Sequence, residues 1–159
     1  MKQILFTLLL AAFAVSASAQ VPSVSLKDID GKTVDTASLG KTGHPVIISF
    51  WATWCSPCKR ELNNYMDYIE EWNEEFGVEL IAVSIDDQRT TARVAPYINS
   101  AEWEYLVLLD SNSDFKRAMQ VNNVPHTFLL DSNGKIVWQN NNYSDGDEEE
   151  LYEQLQKLK

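Results

Sequence analysis

The chain has 159 residues, 45 % of them hydrophobic and 11 % aromatic, enough to bury a sizeable core in one domain without calling for a second. Its 23 acidic residues against 13 basic ones leave a formal net charge of -10, which argues against a nucleic-acid partner and for a soluble surface. Charge alone says little about substrate.

Lys2 gives the chain a positive start, positions 4–15 are almost all apolar, and Ala17-Ser18-Ala19 supplies the small-residue pattern that signal peptidase accepts. Residues 1–19 are therefore expected to be a secretory signal cleaved after Ala19, leaving residues 20–159 as the folded domain. The apolar run is short for a membrane span, and no cysteine follows it to carry a lipid. An uncleaved anchor is the alternative. Cleavage would deliver the domain, periplasmic or secreted, to an oxidising compartment.

Residues 24–34 alternate weakly around Asp30-Gly31, which predicts an entry hairpin. Val46-Ile47-Ile48-Ser49-Phe50-Trp51 is a nearly continuous apolar run, the pattern of a strand buried on both faces. From Cys58 to Phe76 the residues Leu62, Tyr65, Met66, Ile69, Trp72 and Phe76 recur every three or four positions, and Gly77 follows as a stop, so an amphipathic helix is expected. Two further strands are predicted over 78–85 and 105–109. Between them, residues 90–99 have helical character, although Pro96 stands against a helix there. A short helix over 113–119, strands over 127–130 and 135–138 flanking Ser132-Asn133-Gly134, and a helix over 147–158 complete the order. This succession of strands and helices describes an α/β sandwich with a mixed sheet.

Only two cysteines occur, Cys55 and Cys58. A disulfide closing so short a loop removes little entropy from the unfolded chain, so the pair is better explained by reactivity than by stapling. At a strand-to-helix junction Cys55 would sit at a helix N-terminus, where free amides and the dipole lower a thiol pKa, while Cys58, one turn in, would be the more buried resolving thiol. Pro57 costs little in a first helical turn. Half of a zinc site and an inert disulfide remain as other readings of the same spacing. A zinc site would have to recruit His44 and His126, which lack the paired spacing of common Cys-His sites; no metal and no separate cofactor is expected.

The segment Phe50-Trp51-Ala52-Thr53-Trp54-Cys55-Ser56-Pro57-Cys58-Lys59 resembles the active-site segment of the thioredoxin superfamily, and the order of elements is similar to its exported TlpA/ResA branch. The resemblance implies a thioredoxin-like three-layer sandwich with a mixed central sheet, an N-terminal hairpin and an inserted strand-helix unit. It implies a cis-proline loop facing the cysteines, which Val124-Pro125-His126-Thr127-Phe128 matches, with Pro125 as the proline; a proline merely starting a strand is the alternative. Trp54, Pro57, Val124 and Pro125 are the expected substrate contacts, the Val124 backbone pairing with an extended polypeptide. Trp51 is expected to pack around the site.

Two departures from the family pattern bear on proton transfer. Thioredoxin proper has a buried aspartate six residues before its first cysteine, and here that position is Ser49. Glu61, three residues after Cys58, matches a glutamate of the ResA-like branch and is the expected catalytic carboxyl that relays the resolving thiol's proton, acting on rates and thiol pKa more than on folding; a solvated helix-surface acid is the other reading. His126 stands where the family commonly has threonine. Either its ring reaches Cys55, or it is a strand histidine satisfied by backbone. Lys59 and Arg60 are expected to be exposed helix residues.

The resemblance implies dithiol-disulfide exchange with protein thiols and disulfides, in the direction of a reductant in an envelope or periplasm. It extends to preparing apocytochrome Cys-x-x-Cys-His for haem, with electrons from a membrane partner and the protein acting as a monomer. Alternatives are an oxidant that introduces disulfides, a non-enzymatic binding module, and a peroxiredoxin-type peroxidase, whose Pro-x-x-x-Thr-x-x-Cys spacing Pro45 and Cys55 do not fit.

Overall fold

A computed structural model describes residues 20–159; the expected export signal over 1–19 lies outside them. The entry hairpin pairs β1 (Ser25–Asp28) with β2 (Thr33–Asp35). Gly31 at φ 84° supplies the left-handed backbone that its turn needs. Next come β3 (Val46–Trp51), α1 (Ser56–Phe76), β4 (Glu79–Ser84), α2 (Val94–Ala101), β5 (Leu106–Leu109), α3 (Asp114–Ala118), β6 (His126–Leu130), β7 (Ile136–Asn140) and α4 (Asp147–Gln156).

The seven strands form one sheet in the order β2-β1-β5-β4-β3-β6-β7. β3, β4 and β5 run parallel, whereas β1, β6 and β7 join antiparallel to their neighbours. β3 is buried along its whole length because it is central and covered on both faces. Strand alternation divides its side chains between two cores. Ile47 and Trp51 join Leu62, Tyr65, Trp72, Val94, Ile98, Leu151 and Leu155 from α1, α2 and α4, while Val46, Ile48 and Phe50 join Phe115, Met119 and Val121 around α3. These are the three layers of the expected sandwich, and β5 with its flanking helices is inserted between β4 and β6.

The differences from the sequence reading are local. Helix α1 starts at Ser56, two residues earlier than the apolar spacing marks, because Cys55 is its N-cap and Pro57 lies in its first turn. Pro96 is tolerated as the third residue of α2, where its missing N–H would have no intrahelical acceptor. β7 begins one residue late and runs on to Asn140, and α4 ends at Gln156 rather than 158.

Candidate active site at the start of helix α1

β3 delivers the chain to the C-terminal edge of the parallel strands, and residues 52–54 turn it into α1. Cys55 N–H donates to the Ala52 carbonyl at 3.0 Å, which closes the turn. Cys55 holds an extended backbone, φ -94° and ψ 100°, as the N-cap, and its Sγ accepts from the Cys58 N–H at 3.3 Å. Sulfur thus occupies the place a capping oxygen usually takes, under the positive end of a 21-residue helix. Cys55 and Cys58 are joined in a disulfide with Cα atoms 5.3 Å apart. Cys55 is 6 % exposed and Cys58 0 %, so the first sulfur is the one nearer to solvent. Trp54 is 58 % exposed beside them, and Pro57 is half-buried.

The Val124–Pro125 peptide bond is cis. β6 starts one residue later, and its register pairs His126 with Phe50. The proline loop therefore lies at the same end of the sheet as the turn that carries Cys55. Val124 packs against both cores.

Glu61 is 1 % exposed, and no solvated surface acid. Its carboxyl accepts from Ser49 Oγ at 2.8 Å, Thr127 Oγ1 at 2.7 Å and Tyr65 Oη at 3.3 Å. α1, β3 and β6 thus converge on one carboxyl, a turn below Cys58. Burial pushes its pKa up from 4.5 to about 7, and the three hydroxyl donors, which favour the ionised form, offset only part of that rise. A carboxyl raised toward neutrality one helical turn from the cysteine pair could take or give a proton there. Tyr65, in turn, is held well above the usual phenol range by its own burial and by the adjoining carboxyl.

His126 turns away from this network. Thr127 faces α1, so alternation sends His126 and Phe128 to the opposite layer, where the imidazole stacks on the Phe128 ring at 4.3 Å between centroids. Its Nε2 lies 3.0 Å from Gln139 Oε1, an acceptor to which an Nε2–H donates, and burial lowers its pKa from the ordinary histidine value. Of the two readings, the strand histidine describes it, but its partner is the Gln139 side chain and not the backbone. His44 lies before the opposite end of β3, 3.4 Å from Glu79, so neither histidine completes a zinc site with the cysteines. Lys59 Nζ stands 5.3 Å over the Tyr97 ring, Arg60 reaches Asp145 at 3.7 Å on the surface, and Trp51 packs against Tyr97 and Trp103.

Sequence reasoning overlooked the three donors to Glu61 and a second buried acid. Tyr65 lies four residues beyond Glu61, a helical neighbour that spacing could have found. Thr127 comes from another strand and leaves no local signal, whereas Ser49 shows only as the one polar residue of the apolar run of β3. Asp86, just after β4, accepts hydrogen bonds from Thr53 in the turn before Cys55.

The AhpC/TSA family model matches residues 17–139. A thiol-disulfide oxidoreductase, ResA of Bacillus subtilis (strain 168), is 30 % identical over 136 residues, which are 83 % of this chain and 73 % of the relative. The chain belongs to the AhpC/TSA family, on its ResA-like branch. A thioredoxin-like protein from Porphyromonas gingivalis matches in structure with a TM-score of 0.78 and 50 % identity over 87 % of this chain and 90 % of the other. A protein from Chlorobium tepidum described as thiol:disulfide interchange protein DsbE gives 0.76 and 26 % identity over 89 % and 96 %. The chain is a thiol-disulfide oxidoreductase, and Cys55-Cys58 is its redox pair.

Proposed function

We propose that this oxidoreductase is an extracytoplasmic reductant of protein disulfides, in which Cys55 attacks, Cys58 resolves and Glu61 exchanges the proton. The observation that carries the assignment of roles is the N-cap position of Cys55: its sulfur faces the free amides of α1 and is the more exposed, whereas Cys58 is fully buried. In the reduced enzyme the Cys55 thiolate attacks one sulfur of a substrate disulfide and expels the other as a thiolate. The Cys58 thiolate, its proton passed to Glu61, then attacks the Cys55 sulfur and releases the second substrate thiol. Two electrons leave the enzyme, which ends as the Cys55–Cys58 disulfide. The pair carries both electrons, so the reaction calls for no metal or other cofactor, and a membrane-bound dithiol donor would return the enzyme to its reduced form.

Substrate would lie across Trp54 and Pro57, with its main chain beside Val124 and Pro125 in strand-like pairing. The ResA-like relationship and the cleavable signal expected over residues 1–19 support a place in the periplasm or outside the cell and disulfides such as those of apocytochrome Cys-x-x-Cys-His segments as targets; the protein is proposed to work as a monomer. The test is a trapping experiment. The Cys58→Ser variant should accumulate a mixed disulfide through Cys55 and the Cys55→Ser variant none; stable trapping through Cys58 would reverse the assignment. Direction is read from the reduction potential of the pair, expected near the thioredoxin value of about -270 mV, whereas about -120 mV would make the protein an oxidant.

A further inference from the structure

The turn that presents Cys55 is held from outside. Asp86 follows β4 and is 1 % exposed, yet no cation pairs with it among the described residues. Its carboxyl oxygens accept instead from the Thr53 N–H at 2.8 Å, the Thr53 hydroxyl at 2.6 Å and the Ser84 hydroxyl at 2.9 Å. Ser84 Oγ in turn accepts from the Asp86 N–H at 3.1 Å, and the Ile85 N–H donates to the Trp51 carbonyl at 2.9 Å. β4 therefore continues beyond its ladder with β3 and grips the connecting turn. Both groups it grips on the turn belong to Thr53, two residues before Cys55. With the Thr53 side chain and N–H both directed inward, the next residue, Trp54, projects its ring to solvent.

We infer that Asp86 is a positioning residue for the attacking thiol: by clamping Thr53 it fixes the turn so that Cys55 caps α1 and Trp54 faces substrate. The inference rests on the assignment of Cys55 as nucleophile. Three hydrogen bonds to a buried carboxyl are a strong restraint, since an acceptor left without partners there is costly. No apolar side chain could hold a backbone N–H and a hydroxyl together.

The test compares Asp86→Ala, which deletes the clamp, with Asp86→Asn, whose amide oxygen can accept from the Thr53 N–H while its NH2 donates to the Thr53 hydroxyl. Leu155→Ala, a cavity in the core under α4 with no part in the clamp, serves as a destabilised control. Each is assayed in the reduced full chain, well below its thermal midpoint, for the pH profile of Cys55 alkylation and for kcat/KM with a disulfide peptide. In Asp86→Ala the alkylation midpoint should lie about half a pH unit above that of Asp86→Asn, which loses the same carboxyl, the size of a partly lost helix N-terminus. Its kcat/KM should fall roughly tenfold, as expected for a displaced reacting group. Asp86→Asn should stay within about twofold of wild type in kcat/KM, on the ground that its hydrogen bonds survive. Leu155→Ala should lower the thermal midpoint alone.

An alkylation midpoint and rate in Asp86→Ala equal to those of Asp86→Asn would overturn the inference, as would an equal change in Leu155→Ala. If Asp86→Ala does not fold, Thr53→Val, which removes the hydroxyl arm of the clamp, should shift the same midpoint in the same direction, and an unmoved midpoint there overturns it too. Trapping of substrate through Cys58 in the wild-type background would instead remove the assignment of Cys55 itself. Trapping through Cys55 with a silent Asp86→Ala would leave that assignment standing and remove this one.

Discussion

Replacing Glu61 with glutamine should alter how stability depends on pH more than it alters stability at any one pH. The carboxyl is fully buried, and burial raises its pKa to about 7 from 4.5. In the unfolded chain it has already lost its proton at pH values where the folded protein still holds one. The folded form therefore binds more protons between about pH 4.5 and 7, and stability falls as pH rises through that window, levelling off above it. At about 1.36 kcal/mol for each unit between the two pKa values, the fall amounts to about 3 kcal/mol. Glutamine does not titrate, so the slope disappears. Its amide oxygen still accepts one hydroxyl, and its NH2 can donate to Ser49 or Thr127, whose oxygens accept as well as donate. The variant should consequently gain on wild type steadily from about pH 4.5 to 7.

The measurement is urea unfolding of the oxidised protein at intervals from pH 4.5 to 8, plotted as the difference between variant and wild type. Asp110, raised by burial, and His126, lowered by it, titrate in both proteins and cancel in that difference. A flat difference would show that Glu61 does not hold a proton into the neutral range, and with it the proton-exchange role would lose its basis. In the reduced enzyme the same substitution should displace the pH profiles of Cys55 alkylation and of substrate reduction, because an ionised carboxyl near two thiols opposes their deprotonation. Superimposable profiles would route the proton through water instead.

His126→Phe tests the other histidine reading. Because the folded pKa of His126 lies below the usual value, the native state binds fewer protons than the unfolded chain as pH falls past 6.5, and wild-type stability is lost on acidification; phenylalanine should remove that loss and leave Cys55 alkylation untouched, whereas a displaced alkylation profile would mean that the ring reaches the thiol after all. Gly134→Ala should destabilise by at least about 2 kcal/mol in urea unfolding, since Gly134 sits at φ 77° and a Cβ there would overlap the Gly40 carbonyl; near-native stability would deny the close approach of these two glycines.

The elements that position the site were legible because each obeys a local rule. A six-residue apolar run marks a strand covered on both faces, three- and four-residue spacing marks α1, and a glycine at φ 68° ends it. The pairing of Cys55 with Cys58 follows from there being no other cysteine. Contacts between distant segments were not legible: Thr127 and Glu61 are 66 residues apart, and Thr53 and Asp86 are 33 apart. Neither pair breaks a local pattern strongly enough to announce itself.

Glu61 is the instructive middle case, since its burial could have been read from its place on the helix. It lies three residues after Cys58 and four before Tyr65, on the same stripe as the side chains of α1 that face the sheet, so a polar residue there calls for partners. Ser49 poses the complementary question from β3, as a polar residue in a wholly buried strand on the face that α1 covers. The 2.8 Å bond between them answers both. A carboxyl at position 49, as in thioredoxin proper, would project into the space that the Glu61 carboxyl already fills. Two acids sharing it would force one of them neutral at physiological pH. The serine at 49 and the glutamate at 61 therefore describe one requirement, a single titratable carboxyl buried below the cysteine pair, met from the helix where thioredoxin meets it from the strand.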